Sequence, residues 1–171
     1  MNRREAGRAL LVGALAMGVP AASFAQAMAA PMGEAERRHA MDTLRVGRIA
    51  LRSSQLAQSR ARMPRVREFA DFEVMEQTTI ADIIREMSGM TPPPPDRRAM
   101  AMMASLERAR GRGFDMAYVM AQMDGHQELL QIQERYLSMG RNMHHRHIAM
   151  LARGQIKEHL RLLSDIRAGR A

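Results

Sequence analysis

The chain of 171 residues contains no cysteine and no tryptophan. Without cysteine there is no disulfide framework, no thiolate metal site, no thiol nucleophile and no lipid-modified lipoprotein cysteine. Aromatic residues are only 4% of the chain, and among 26 cationic residues Lys157 is the one lysine. No apolar run reaches the ~20 residues of a membrane-spanning helix, and no succession of alternating segments marks an outer-membrane barrel. Catalytic signatures are missing too. There is no Gly-x-Ser-x-Gly elbow, no phosphate-cradling glycine loop and no His-Glu-x-x-His helix. What the chain has is 18 methionines, a formal charge of +8, and 46% hydrophobic against 26% charged residues. Those last proportions are ordinary for a single globular domain and exclude wholesale disorder.

The first segment reads as an address. Arg3, Arg4 and Arg8 precede an apolar run from Ala9 to Val19, Pro20 breaks it, and small residues follow at Ser23, Ala25 and Ala27. This is the three-part pattern of a secretory signal peptide over residues 1–27, with cleavage near Ala25 or Ala27. Arg3-Arg4 touches on twin-arginine export, but Glu5-Ala6 lacks the hydrophobic residues expected next. General secretion is therefore the expected route, and the periplasm or the cell exterior the expected location. The remaining domain, residues 28–171, has arginines interspersed with acids, as in Glu34-Ala35-Glu36-Arg37-Arg38. That pattern implies solvated helix faces and no nucleic-acid partner, with at most a weak attraction to anionic lipid or polymer.

Ala, Leu, Met, Arg, Glu and Gln dominate the rest of the chain, a helical vocabulary. Four long amphipathic segments are expected. The first runs from about Gly33 to Arg62, with Val46, Ile49, Ser53, Leu56 and Ala57 at helical spacing. Pro64 suits the start of the second, which carries Val66, Phe69, Ala70, Ile80, Ile84 and Met87 and stops at Gly89. Pro92 to Pro95 stiffen the link to a shorter helix capped by Asp96 and ending near Arg110. The third long helix is expected to begin at Phe114, after a break at Gly111-Arg112-Gly113, with Asp115 favourably placed against its N-terminal dipole. Its stripe is Phe114, Tyr118, Ala121, Gly125, Leu129, Ile132 and Tyr136. Asn142 can cap the last helix, which carries Ile148, Ala152, Ile156, Leu163 and Ile166 and runs to about Ala168. Helices amphipathic on one side bury their stripes together, so an all-α four-helix bundle with an extra short helix after the proline-rich link is predicted.

Polar residues interrupt the apolar faces in pairs four apart, a spacing that puts each pair on one face. Glu73 and Gln77 do so on the second helix, Gln122 and His126 on the third, Gln155 and His159 on the fourth. Buried polar groups must be paired, so one reading is a hydrogen-bonded layer that fixes helix register. The other is a metal site: Glu73, His126 and His159 form a two-histidine, one-carboxylate set, with Glu76 as an extra ligand, suited to iron, zinc or manganese. A separate concentration of soft donors lies at the last interhelical turn, where Met139, Met143, His144, His145, His147 and Met150 read first as a solvated turn and alternatively as a copper site. For the methionines as a whole, core filling is the expected role, since methionine is a good helix former and an adaptable packer.

Several stretches together resemble one family. They are Ser54-Gln55-Leu56-Ala57; Phe69-Ala70 with Glu73-Val74-Met75-Glu76-Gln77-Thr78-Thr79-Ile80-Ala81; Gly113-Phe114-Asp115 with Tyr118 and His126; and Ile156-Lys157-Glu158-His159-Leu160. The chain is similar here to the bacterial domain-of-unknown-function family 4142, over about residues 35–166. The resemblance implies a ferritin-like helical bundle of exported or outer-membrane proteins with no established activity. His126 and His159 match its pattern. Many relatives carry Asp-His where this chain has Glu76-Gln77, and a first-helix glutamate where it has apolar or small residues, which takes ligands away.

The function expected from these readings is that of an exported, non-enzymatic bundle of envelope or stress physiology acting through its surface. The alternative is a periplasmic metal-binding or metal-buffering protein for copper, iron or zinc. A redox enzyme built on a core metal comes third. No cofactor is expected on the first reading, a metal ion is the one the alternative would take, and monomer and homodimer stay open.

Overall fold

Helices form where capping residues and glycines punctuate the chain. The computed structural model describes residues 32–170, so the leader expected at residues 1–27 lies outside the described residues. Five helices follow one another: α1 Glu34–Arg60, α2 Pro64–Ser88, α3 Arg97–Arg108, α4 Gly111–Met139 and α5 Met143–Arg167. Pro64 occupies the first turn of α2, where its missing N–H is no loss. Asp96 caps α3 by accepting from the Ala99 amide at 2.8 Å. Asn142 caps α5 by accepting from the amides of His144 and His145, at 3.0 and 3.2 Å. Each such cap satisfies an end amide and contributes about 1 kcal/mol.

One boundary differs from expectation. α4 starts at Gly111, three residues before Phe114, because Gly111 adopts a left-handed φ of 58° and turns the chain directly into the helix. Gly113 is then simply part of the first turn.

α1 and α2 form one antiparallel hairpin, α4 and α5 another. The long connection between them, residues 89–110, carries the four prolines and α3 and returns the chain to the end where α1 turned into α2. α4 therefore begins beside that turn. The tie is Asp115, whose buried carboxylate accepts from the backbone amides of Arg62, at 3.1 Å, and Met63, at 2.9 Å. The dipole role expected for Asp115 is thus superseded: it caps the turn into another helix. α1 packs closely on α2 and α4, and α4 on α5, while α2 and α5 meet more sparsely along the fourth seam.

The core is layered along the bundle. Near the α1–α2 turn it holds Ala57, Val66, Phe69, Leu106, Phe114, Tyr118, Leu163 and Ile166. Val46, Leu129, Ile132, Ala152 and Ile156 fill the middle, and Ala40, Leu44 and Ile84 the far end. Burying each large side chain contributes ~1.5–3 kcal/mol, which is what holds otherwise marginal helices together. At that far end Gly140 lets the chain pass against the ring of Tyr136, closer than any Cβ could approach.

The methionines fill the margins of the core and not its centre, with Met90 against the far-end cluster as well. None of the described ones is fully buried; Met63, Met102, Met103 and Met123 pack on the rim of the first cluster, and Met75, Met100 and Met120 are exposed. Alanines, branched aliphatic side chains and a few rings fill the interior, and the thioethers lie at the edges of the stripes. Among the described residues no helix is long and apolar enough to cross a membrane.

Candidate metal centre

Glu73, His126 and His159 come from three helices and converge in the interior, Glu73 and His126 with no exposure and His159 with 7%. Their ligand atoms cluster tightly. Glu73 Oε2 lies 3.2 Å from His159 Nδ1 and 3.4 Å from His126 Nε2. The two ring nitrogens are 3.0 Å apart. Phe69 covers the group from the turn side, its ring edge-on to His159 at 5.1 Å.

The outward nitrogens determine what the inward ones can do. His126 Nδ1 donates to the Gln122 carbonyl oxygen at 2.8 Å. His159 Nε2 faces the Glu76 carboxylate at 3.2 Å. A carbonyl and a carboxylate can only accept, so both outward nitrogens carry hydrogen. In the neutral tautomers the inward Nε2 of His126 and Nδ1 of His159 are then bare lone pairs. They point at a carboxylate neither of whose oxygens receives an aligned hydrogen bond. Three acceptors meeting in a dry interior repel one another unless a positive charge sits among them.

A proton is the smallest such charge. Burial would raise Glu73, but the two imidazoles beside it hold it down at about 2. Burial would lower His159, yet Glu73 and Glu76 push it up to about 9. A metal ion is the larger alternative. Ligands ~2.1 Å from one ion lie ~3.0 Å apart in octahedral and ~3.4 Å apart in tetrahedral geometry, the spacing found here. Hydrogen-bond acceptors on the outer nitrogens are what metal-bound histidines ordinarily have.

The remaining residues of the expected layer divide. Gln77 is buried, its amide oxygen pressed toward Gly47 of α1. Gln122 is buried and donates through Nε2 to the Ala50 carbonyl and the Ser53 and Ser54 hydroxyls, at 3.1, 3.0 and 3.0 Å. Glu76 is partly exposed at the α2–α5 seam. Gln155 stands at the edge of the layer: the residue is largely exposed, yet it lines the small cavity beside His126 and His159. The buried positions of α5 run through Ala152, Ile156 and His159, and Gln155 falls just off that stripe.

The methionine and histidine turn does not gather into a site either. Met139 and Met143 are each 60% exposed, and His144, His147 and Met150 are exposed as well. His145 instead turns inward, where it builds a second polar cluster that sequence reading missed. Its Nδ1 lies 3.0 Å from Nδ1 of His39, whose Nε2 donates to Gln133 Oε1 at 2.7 Å. Gln133 passes the chain on to Thr43 at 3.1 Å, and Tyr136 donates to Glu36 at 2.8 Å while stacking on His39. The spacing of His39, Thr43 and Val46 on α1 was the available signal. A cavity of about 10 Å³, roughly one water, separates Thr43 and Gln133 from His126 and His159.

Burial, aided for His145 by the adjacent imidazole, pushes His145 down to about 4 and lowers His39 below its ordinary value. Both stay neutral in the folded protein while the unfolded chain takes up protons near pH ~6.5. The contribution of this pair is therefore full above that pH and is lost as pH falls toward 4. Metal-free protein at pH 5 is expected to melt about 5 °C below its value at pH 7. His145→Phe should flatten the slope between those two pH values; an unchanged slope in the variant would place the loss elsewhere.

The profile of the domain-of-unknown-function family DUF4142 matches residues 21–166. No curated protein matches the chain. Among solved structures, the crystal structure of a candidate secreted protein of the DUF305 group from Streptomyces coelicolor is similar in fold. The TM-score is 0.69 at 17% identity, over 80% of this chain and 92% of that one.

Proposed function

The chain belongs to the DUF4142 family, and from its own residues we propose that it is an exported protein that holds one divalent transition-metal ion in the bundle core. Glu73, His126 and His159 supply the ligands, Gln122 and Glu76 fix the tautomers, and a water in the adjoining cavity completes the shell. The observation that carries this reading is the convergence of two outward-protonated histidines on a carboxylate without aligned donors. One long crossover between two hairpins is also the connectivity of ferritin-like bundles, which build metal sites from facing helices.

The donor set selects the ion. Two imidazoles and one carboxylate suit zinc, ferrous iron or manganese, whereas copper(I) would call for thioethers, and the methionines stand at rims and surfaces. The chemistry is holding, not turnover. Room beside the site for about one water leaves no place for a substrate. Export is supported by the N-terminal pattern and by the description of the Streptomyces neighbour as a candidate secreted protein.

Elemental analysis of protein recovered after export, without an affinity tag, tests the reading. About one ion of zinc, iron or manganese per chain is expected, and none in His126→Ala. Less than about a tenth of an ion per chain, with no uptake on adding zinc, would sink it.

A further inference from the structure

The arginines are interspersed with acids along the sequence, but the fold gathers them. Four surround the α1–α2 turn: Arg60, Arg62, Arg65 and Arg67. Arg108, Arg110 and Arg112 surround the α3–α4 turn, and Arg167 and Arg170 follow at the end of α5. All nine share one end of the bundle, as the contacts show. Arg60 donates to the Glu107 carbonyl at 2.7 Å and Arg65 to the Arg170 carbonyl at 2.7 Å. Arg62 lies against Gly111. The acids of this end do little to offset them. Asp115 is buried on backbone amides, and Asp165 is held between Arg161 and Arg170. Glu68 and Glu107 are exposed, with Asp71 a turn further along. At the opposite end Arg38 pairs with Glu34 at 2.8 Å and Arg85 with Asp82 at 2.7 Å, while Arg135 and Arg141 stand without such partners among the described residues but more widely spread.

Helix capping explains part of this concentration. Arg60, Arg108 and Arg167 stand in last turns, where a cation complements the dipole. Arg62 and Arg112 have no such role, and among the described residues the side chains of Arg62, Arg108, Arg112 and Arg167 make no hydrogen bond or ion pair. Crowding like charges without partners works against folding, so the concentration calls for an anionic surface outside the molecule.

We propose that this end of the bundle is a docking surface for an anionic lipid bilayer. Guanidinium groups meet lipid phosphates as two-pronged donors. Phe69, Phe114 and Tyr118 at this end are buried, and Phe72, half exposed beside Arg67, is the single ring facing solvent there among the described residues, whereas single-stranded nucleic acid stacks successive bases on several exposed rings. Docking is electrostatic and reversible. Each arginine near the surface strengthens it about fivefold, and salt weakens it because the field extends only ~8 Å at physiological ionic strength. Expected binding is to vesicles of phosphatidylglycerol and phosphatidylcholine, with none to phosphatidylcholine alone.

Vesicle co-sedimentation of the exported form, which lacks the leader, tests this. The variant with Arg62, Arg108, Arg112 and Arg167 all changed to Gln should lose about 600-fold in partitioning onto vesicles of about 30% phosphatidylglycerol, four factors of about five. A second variant with Arg97, Arg135, Arg141 and Arg153 changed to Gln carries the same net charge and should lose less than about fivefold. Equal losses in the two variants would reduce the effect to net charge and overturn the proposal. So would absence of binding at about 20 mM salt, or tighter binding to a single-stranded oligonucleotide than to the vesicles. Unchanged helicity of both variants by circular dichroism is the folding control, and metal content does not enter the measurement.

Discussion

Zinc added to metal-free protein is expected to raise its Tm by about 12 °C. An ion present at a thousandfold excess over its dissociation constant contributes ~4 kcal/mol to a site that exists only in the folded state. A folded domain of this size moves by roughly 3 °C for each kcal/mol. The gain should grow with pH. In the absence of metal, His159 holds a proton with its value raised to about 9, and an arriving ion must displace it. Between about pH 6.5 and 8.5 the apparent affinity should therefore tighten about tenfold per unit. The metal-free protein runs the other way: a histidine raised above its unfolded value stabilises below pH ~6.5 and loses that contribution as pH climbs through 9. The two melting curves should diverge as the solution becomes alkaline. Glu73→Gln, which keeps the volume and removes the charge, should abolish the zinc response. A Tm that zinc leaves within about 2 °C at pH 8 would contradict the site.

Asp115→Ala is expected to destabilise by about 3 kcal/mol, a fall of about 9 °C in Tm, without touching the metal ligands. The carboxylate is buried and satisfies the amides of Arg62 and Met63, which begin α2 without any other side-chain cap. Alanine leaves both amides without their acceptor at a partly buried turn, opens a space where the carboxylate was buried, and unties α4 from the first hairpin. Asp115→Asn retains one acceptor oxygen and should lose about half as much. Zinc stoichiometry should be unchanged in both. Urea titration with the slope compared across variants measures it; a loss under about 1 kcal/mol for alanine would show that the turn is held by other contacts.

The frame of the fold was legible because it depends on neighbours in sequence. Pro64, Gly89, Asp96 and Asn142 each announce a helix end by local chemistry, and the structure ends or starts a helix at each. Glu73, His126 and His159 were legible for a similar reason: a polar residue inside an apolar stripe is visible as a break in periodicity. Gln155 shows the limit of that reasoning. A stripe drifts round a helix, and one residue's drift carries the side chain from the layer's interior to its solvent-facing edge. The His39–His145 pair was hidden because its partners stand 106 residues apart, and because three neighbours of His145 made it look like part of a surface cluster. Asp115 was hidden differently. Its position suggested service to its own helix, while the partner amides belong to a turn that only the long crossover brings near. The arginine end is the same lesson at larger scale, since no linear window contains more than a few of the nine.

The sparse α2–α5 seam gives the candidate centre a mechanical meaning. Glu73 belongs to the first hairpin, His126 and His159 to the second. An ion bound to all three is a clasp between two halves that elsewhere on this side hold each other loosely. Its departure and the parting of the seam are then a single event, so the dwell time of the ion sets the tempo at which amides along α2 and α5 exchange with deuterium. A protein loaded with metal should outlast its empty form against a protease by the same factor.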